Sequence, residues 1–335
     1  MPGAAKYHPG GDDMDSFKTK ITAATVCVIV VAMSIVAFLG VTALRNIGNR
    51  YADQMLLLMC ETGQKNLDAY FQSVEQSVEM VSAYVESDLN GLEDEKLQAH
   101  LERTGDIFNK LVHKTNGVLT YYYRIDPAVS QNVKGFWYVA NDEGIVRHEV
   151  TDISLYDTRD TSKLVWFTVP KASGKAVWLP PYFTDNLGAR VFSYNVPVYY
   201  GGRFVGVVGI ELDYFIVAKI VDNITLYDNG YAFINDKEGN IIYHPRMDVM
   251  TMEQPKVPEG LLSKNKFIHY VFEGVEKQAV WLPLSNGMRL NLTVPVEEIN
   301  ADWQRWSQKI ITIFALLLGL FILIIKVLIG RILRT

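Results

Sequence analysis

The chain has 335 residues, a net charge of −5, 49% hydrophobic and 12% aromatic side chains. That is ample material for a folded core, and with no basic patch the electrostatic footprint of a nucleic-acid binder is excluded. Of the two cysteines, Cys27 lies in an apolar run and Cys60 outside it, so no disulfide forms within the intervening region. Cys60 is left either as a packed free thiol or as a link to a second copy.

Residues 1–20 read as a cytoplasmic tail. The GGDDMD stretch at Gly10 to Asp15 superficially resembles the signature of cyclic-dinucleotide synthases, but the tail has no room for a catalytic domain. Residues 21–44 follow as an uncharged apolar run, longer than the roughly 20 residues that a helix needs to cross the hydrocarbon core. A cleaved signal peptide has an apolar region of only about 7–15 residues, so an uncleaved anchor is expected. Residues 310–330 form a second span. Lys326 near its far end can reach the headgroups along its own stem, and Trp303 and Trp306 stand where an aromatic belt sits. Lys326, Arg331 and Arg334 favour a cytoplasmic end there, while Lys18 and Lys20 balance Arg45 and Arg50 across the first span. The expected topology is two-pass, with both termini cytoplasmic and residues 45–309 outside.

After the first span, a helix runs to about Leu89. Leu67, Phe71, Val74, Val78, Val81 and Val85 form a heptad-like stripe on it. The stripe serves either to join two copies or to pack on the chain's own domain, and the sequence favours neither. Asn90 and Gly91 break the pattern, and a second, more charged helix follows from about Glu93 to Thr115, completing a helical region over 45–117. From Val118 onward, β-branched and aromatic residues alternate with turn signals, as in antiparallel strands. Two segments look alike: WYVANDEGIVRH (Trp137 to His148) and AFINDKEGNIIYH (Ala232 to His244). Each reads as a hairpin whose glycine, Gly144 or Gly239, takes positive φ. Their spacing predicts two tandem modules, 118–222 and 223–298, with His148 and His244 in a shared structural role. Asp213 is placed to cap a helix beginning YFIVAKIV, and a juxtamembrane helix over 299–309 leads into the second span.

In this order the segments YYYRIDP, GFWY, WLPPYFTD, VFSYNVPVY, GGRFVGVVGIELDY, GYAFINDKEGNIIYHP and LPLSNGMRLNLTVP resemble the double Cache family over roughly residues 50–300. The family comprises extracellular sensor domains of bacterial transmembrane receptors. The resemblance implies an α+β fold, a long helix carrying two PAS-like antiparallel-sheet modules, with a small ligand in the membrane-distal one. In the amino-acid-binding branch, an Arg two residues before a Trp-Tyr pair holds the ligand carboxylate, and an Asp after the Gly-Val-rich strand holds the amino group. Here Trp166 and Phe167 occupy the aromatic pair, Leu164 replaces the Arg and Glu211 replaces the Asp. Lys163, taken as part of a strand, points to the opposite face.

The expected ligand-binding set is therefore Tyr123, Trp137, Trp166, Phe167, Tyr182, Asp185 and Glu211: an aromatic box with carboxylates that suits an amine or other cation rather than a standard amino acid. Each has a plainer reading, the tryptophans as core, Tyr182 as a loop former after two prolines, Asp185 as a turn residue. Arg124 is read as a structural partner of Asp126 or the long helix, with an anionic ligand as its alternative. No phosphate loop, paired-histidine zinc motif or Gly-x-Ser-x-Gly elbow occurs, so no cofactor, metal or catalytic residue is expected. The Asn-x-Thr sequons at Asn223 and Asn291 have meaning only in a secretory host. The leading function is a receptor's sensor half, a homodimer in the lipid bilayer. RILRT at 331–335 begins a cytoplasmic output region, most simply a GGDEF diguanylate cyclase, otherwise a histidine kinase or chemoreceptor. A ligand-free dimerisation scaffold and an anchored extracellular hydrolase are the alternatives.

Overall fold

The computed structural model describes residues 11–332 apart from 142–143, 185–186, 250–254 and 264. The first of two compact units holds residues up to Met55, Gly274–Glu276 and the chain from Pro295 onward. Its main elements are the start of α1 (Gly11–Asp88) and α5 (Val296–Ile332). Both helices are long and apolar enough to cross a bilayer, and protein covers neither apolar stretch, as lipid-facing helices require. Just outside the apolar stretches the helices touch. Gly48 lets Trp303 approach so closely that an added Cβ would meet the Trp303 Cβ at 3.1 Å, and the Arg45 guanidinium lies 5.9 Å over the same ring. Trp303 is thus spent on helix packing, whereas Trp306 is 59% exposed, as an interfacial aromatic is.

The second unit, Leu56–Glu273 with Lys277–Val294, holds the rest of α1 and both sheets. Leu67, Phe71, Val74, Val78, Val81 and Val85 are each at most 1% exposed within the single chain. The stripe therefore packs on the chain's own sheets, and its burial removes it as a free dimer seam. Along α1, Cys60 and Gly63 lie on the second sheet, where Gly63 adjoins Ile224 and Leu290. Phe71 meets the first sheet at Trp178 and Phe192, with ring centroids 5.0 and 6.0 Å away. Cys60 is fully buried, which removes the link to a second copy, and burial pushes its thiol up to about 12. The charged second helix, α2 (Asp94–Val112), folds back so that His100 and Arg103 both bond the Asp88 carboxylate, at 2.7 and 2.8 Å.

The first sheet has the order β3-β2-β1-β6-β5-β4, built from β1 (Val118–Ile125), β2 (Gly135–Asn141), β3 (Gly144–His148), β4 (Val177–Thr184), β5 (Ala189–Tyr200) and β6 (Arg203–Asp213). Between β3 and β4 lies the helix α3 (Val165–Ser173). The Asp213 carboxylate accepts the Phe215 N–H and caps α4 (Tyr214–Asp222), as expected of an N-cap aspartate. From α4 the Tyr214 hydroxyl donates to the Ile242 carbonyl at 2.8 Å, tying the two modules together. The second sheet runs β8-β7-β11-β10-β9, from β7 (Tyr231–Asn235), β8 (Ile241–Tyr243), β9 (Phe267–Phe272), β10 (Val275–Pro283) and β11 (Arg289–Pro295).

The recurring hairpin is real but occupies different places in the two sheets. β7 pairs directly with the last strand of its sheet, whereas β1 separates β2 from β6. Each histidine packs on the aromatic eleven residues before it, His148 on Trp137 and His244 on Phe233, with centroids 5.2 Å apart in both. They share this packing contact, but their surroundings differ. His148 is exposed on the outer strand, while His244 is 6% exposed, with Lys277 and Arg246 nearby.

Candidate functional site

The site is built on one face of β1, β6 and β5. Alternation along β1 puts Thr120, Tyr122 and Arg124 on that face and Tyr121 and Tyr123 on the other. The antiparallel register then lays down three rows: Thr120, Glu211 and Ser193; Tyr122, Gly209 and Asn195; Arg124, Val207 and Pro197. Gly209 is required by the middle row. A Cβ there would lie 2.5 Å from both the Tyr122 ring and the Asn195 amide oxygen, so only glycine lets the Tyr122 hydroxyl reach across and donate to Asn195 Oδ1.

A cleft opens over these rows, with about 410 Å³ of empty space when its open mouth is counted. Tyr122, Arg124 and Glu211 line its floor, Trp137 and Trp166 its aromatic walls, and Val150, Thr151 and Thr184 its rim. Trp166 stands edge-on to Tyr122 with centroids 5.0 Å apart. Behind them Phe167 joins Tyr122, Ile153 and Val207 in a buried apolar cluster, with Leu164 packed against it.

Glu211 is 5% exposed. Its carboxylate accepts the Thr120 hydroxyl at 2.8 Å and the Tyr182 hydroxyl at 2.6 Å. Among the described residues no Lys, Arg or His forms an ion pair with it; burial raises its pKa, and the Tyr182 and Thr120 bonds only partly offset this. Arg124, 3% exposed, donates through Nη1 to the Lys134 and Ile125 carbonyls, and its buried Nε has no hydrogen-bond partner among the described residues. Burial lowers its pKa to about 10 despite the charges of Asp152 and Asp126. The expected Arg124–Asp126 pair is not formed: Asp126 pairs with Lys171 of α3 at 2.5 Å, and Asp152 with Lys134 at 3.0 Å.

Of the seven residues singled out from sequence, Trp137, Trp166 and Glu211 line the cleft and Tyr182 bonds to Glu211. Phe167 lies in the cluster behind. Tyr123 is displaced to the far face, where it is fully buried edge-on to His100; the strand's period of two puts its neighbour Tyr122 in the cleft instead. Asp185 lies outside the described residues. The segment from Lys163 is also corrected. It is not a strand: Leu164 takes a left-handed conformation (φ 47°, ψ 47°) and starts α3, which carries Trp166 over the cleft as a helix residue. Tyr122 was hidden in a run of three tyrosines, where only the register says which ring faces inward. Alternation also singles out Arg124, in step with Tyr122 and Thr120.

A family model described as a Cache domain, of the double Cache type, matches residues 44–303. The chain belongs to the double Cache family. The curated relatives of this Cache chain include the methyl-accepting chemotaxis protein PctB of Pseudomonas aeruginosa, 28% identical over 109 residues, 30% of this chain and 17% of the relative. Another is the methyl-accepting chemotaxis protein PscA of Pseudomonas syringae pv. tomato, 28% identical over 80 residues, 24% of this chain and 13% of the relative. The match thus spans well under a fifth of PctB or PscA. Among solved Cache folds, the extracellular domain of the putative histidine kinase mmHK1S-Z3 aligns with TM-score 0.60 and 18% identity over 76% of this chain and 97% of that one. The ligand-binding domain of Mlp24 with asparagine gives 0.54 and 17%, covering 78% and 99%. That of PctB from P. aeruginosa PAO1 with L-Arg gives 0.51 and 20%, covering 73% and 95%. These likenesses establish the shared double Cache fold.

Proposed function

We propose that the chain is the sensor part of a transmembrane signalling receptor and that its first module binds a small cationic amine. The observation that carries this reading is Glu211. A carboxylate so deeply buried costs free energy unless a cation pairs with it, and among the described residues its side-chain partners are two hydroxyls. Trp137, Trp166 and Tyr122 surround it with aromatic surface of the kind that attracts cations. Leu164, where the amino-acid-binding branch has its Arg, is half-buried in the apolar cluster and offers nothing to an α-carboxylate at that point.

Family membership and the two apolar helices support placing the Cache region outside the membrane, with both termini cytoplasmic. Ligand closure over the cleft biases α1 or α5 between two states and carries the signal across the bilayer. Support for the output is of the chemoreceptor or histidine-kinase kind, since the matched relatives are chemotaxis proteins and one structural neighbour is the extracellular domain of a putative histidine kinase. A diguanylate cyclase output draws no such support. The scaffold alternative loses its seam with the burial of the Leu67–Val85 stripe.

The test is thermal unfolding of the full chain in lipid nanodiscs against a panel of amines, amino acids, carboxylates, purines and sugars. An amine at 100 times its dissociation constant adds about 2.7 kcal/mol of stability. The shift should vanish in Glu211→Gln and weaken in Trp166→Ala. Stabilisation only by compounds without a positive charge would overturn the amine reading.

A further inference from the structure

The cleft contains a second charge that the amine reading leaves unused. Arg124, only 3% exposed, lines the cleft together with Glu211. The guanidinium has two hydrogen-bonding edges. Nη1 is committed to the Lys134 and Ile125 carbonyls, whereas Nε, on the edge shared with Nη2, is buried with no acceptor among the described residues. The two acids whose charges act on Arg124 are each in contact with another cation, Asp126 with Lys171 and Asp152 with Lys134. One cleft therefore encloses a buried cation and a buried anion, each without a contact counter-ion among the described residues, and the two do not pair with each other. The register explains why. Glu211 stands opposite Thr120, and Arg124 is four residues further along β1, roughly 13 Å at the backbone, with Tyr122 between them.

We infer that the ligand carries two opposite charges separated by an apolar spacer, as an ω-amino acid does, with its ammonium at Glu211 and its carboxylate on the Nε edge of Arg124. This rests on the amine reading of Glu211 and adds the other half of the molecule. An acceptor on that edge would satisfy the orphan N–H and neutralise the guanidinium, and the edge presents parallel donors that match a carboxylate's two oxygens. The spacer would lie along Tyr122, whose row separates the two charges, and along Trp166, which stands edge-on to it. The α-ammonium and α-carboxylate of an amino acid are held on one carbon and cannot reach both ends at once.

Isothermal titration calorimetry on the full chain in nanodiscs, with the ω-amino acids from 3-aminopropanoate to 6-aminohexanoate beside the n-alkylamines and alkanoates of matching length, tests this directly. At the best spacer length, the amino acid should bind roughly tenfold or more tightly than its matching amine. That preference should disappear in Arg124→Met, the ω-amino acid then binding no more tightly than its matching amine measured on the same variant, and Arg124→Lys should restore only part of it. Since Arg124 also holds two backbone carbonyls, the wild-type comparison stands by itself should the variants fail to fold. An amine binding as tightly as every ω-amino acid would overturn the inference and leave the amine reading intact. An alkanoate binding in an Arg124-dependent way, with no amine bound, would overturn the amine reading. No binding by any member of the three series would overturn both.

Discussion

At the residue scale, Glu211 and Gly209 show how one strand sets up a charge. GVVGIEL is so apolar that its carboxylate must be either paired or costly, and that much is readable directly from the chain. What is not readable is that Thr120 and Tyr182 hold the carboxylate from two different strands, or that Gly209 clears the space for Tyr122. Burial raises the Glu211 pKa above its ordinary 4.5, so in the folded protein the carboxylate takes up a proton sooner than a free one as pH falls. An amine remains cationic throughout this range, so its affinity should fall as pH drops through that raised pKa. Calorimetry from pH 8 down to the ordinary carboxylate value of 4.5 should show the decline, and Glu211→Gln, already neutral, should bind weakly at every pH. A wild-type affinity independent of pH across that window would argue that Glu211 does not face the ammonium.

At the scale of elements, α1 joins the two sheets through a stripe and a set of acidic side chains. Glu75 accepts the Trp178 indole N–H at 2.7 Å, Glu79 accepts the Tyr194 hydroxyl at 2.8 Å and Glu86 accepts the Tyr199 backbone N–H at 2.9 Å. β4 in turn connects this face to the cleft. Its irregularity between Leu179 and Tyr182, at Pro180 and Pro181, switches sides, so Trp178 faces α1 while Tyr182 reaches Glu211. The periodicity of α1 was legible in sequence, but its partner was not, because a 4-3 apolar spacing packs equally well on a second helix or on a sheet. Val78→Asp separates these cases. With Val78 buried in a single chain, the substitution should destabilise the fold by about 4 kcal/mol. Chemical denaturation should show this loss at every protein concentration, whereas a dimer seam would show a concentration-dependent change instead.

At the scale of the whole molecule, the second module contributes stability that depends on pH. His244 is buried among Tyr231, Phe233 and Phe272, with Lys277 and Arg246 nearby, and burial followed by those two charges lowers its pKa from 6.5 to about 4. A depressed value means that the unfolded chain binds this proton first. The stability His244 contributes is complete above pH 6.5 and is lost as pH falls from 6.5 to 4, by about 3 kcal/mol. His244→Phe should flatten the acid limb of thermal stability across that window, while the exposed His148 replaced in the same way should leave it unchanged. An acid limb of equal steepness in both variants would assign the loss to other groups.

Sequence by itself determined the two apolar helices, the long amphipathic helix, the Asp213 cap, the tandem of modules and the family. Each of these rests on hydrophobic periodicity, turn chemistry or motif order, which are properties of residues near one another in the chain. It also picked out Trp137, Trp166 and Glu211, since large aromatics and a carboxylate in an apolar strand are conspicuous without their neighbours. Only the tertiary structure decided which of Tyr121, Tyr122 and Tyr123 faces the cleft, that α3 rather than a strand carries Trp166, and that Arg124 shares a cavity with Glu211. Those facts depend on strand register and on burial by distant segments, where a shift of one residue turns every side chain to the other face.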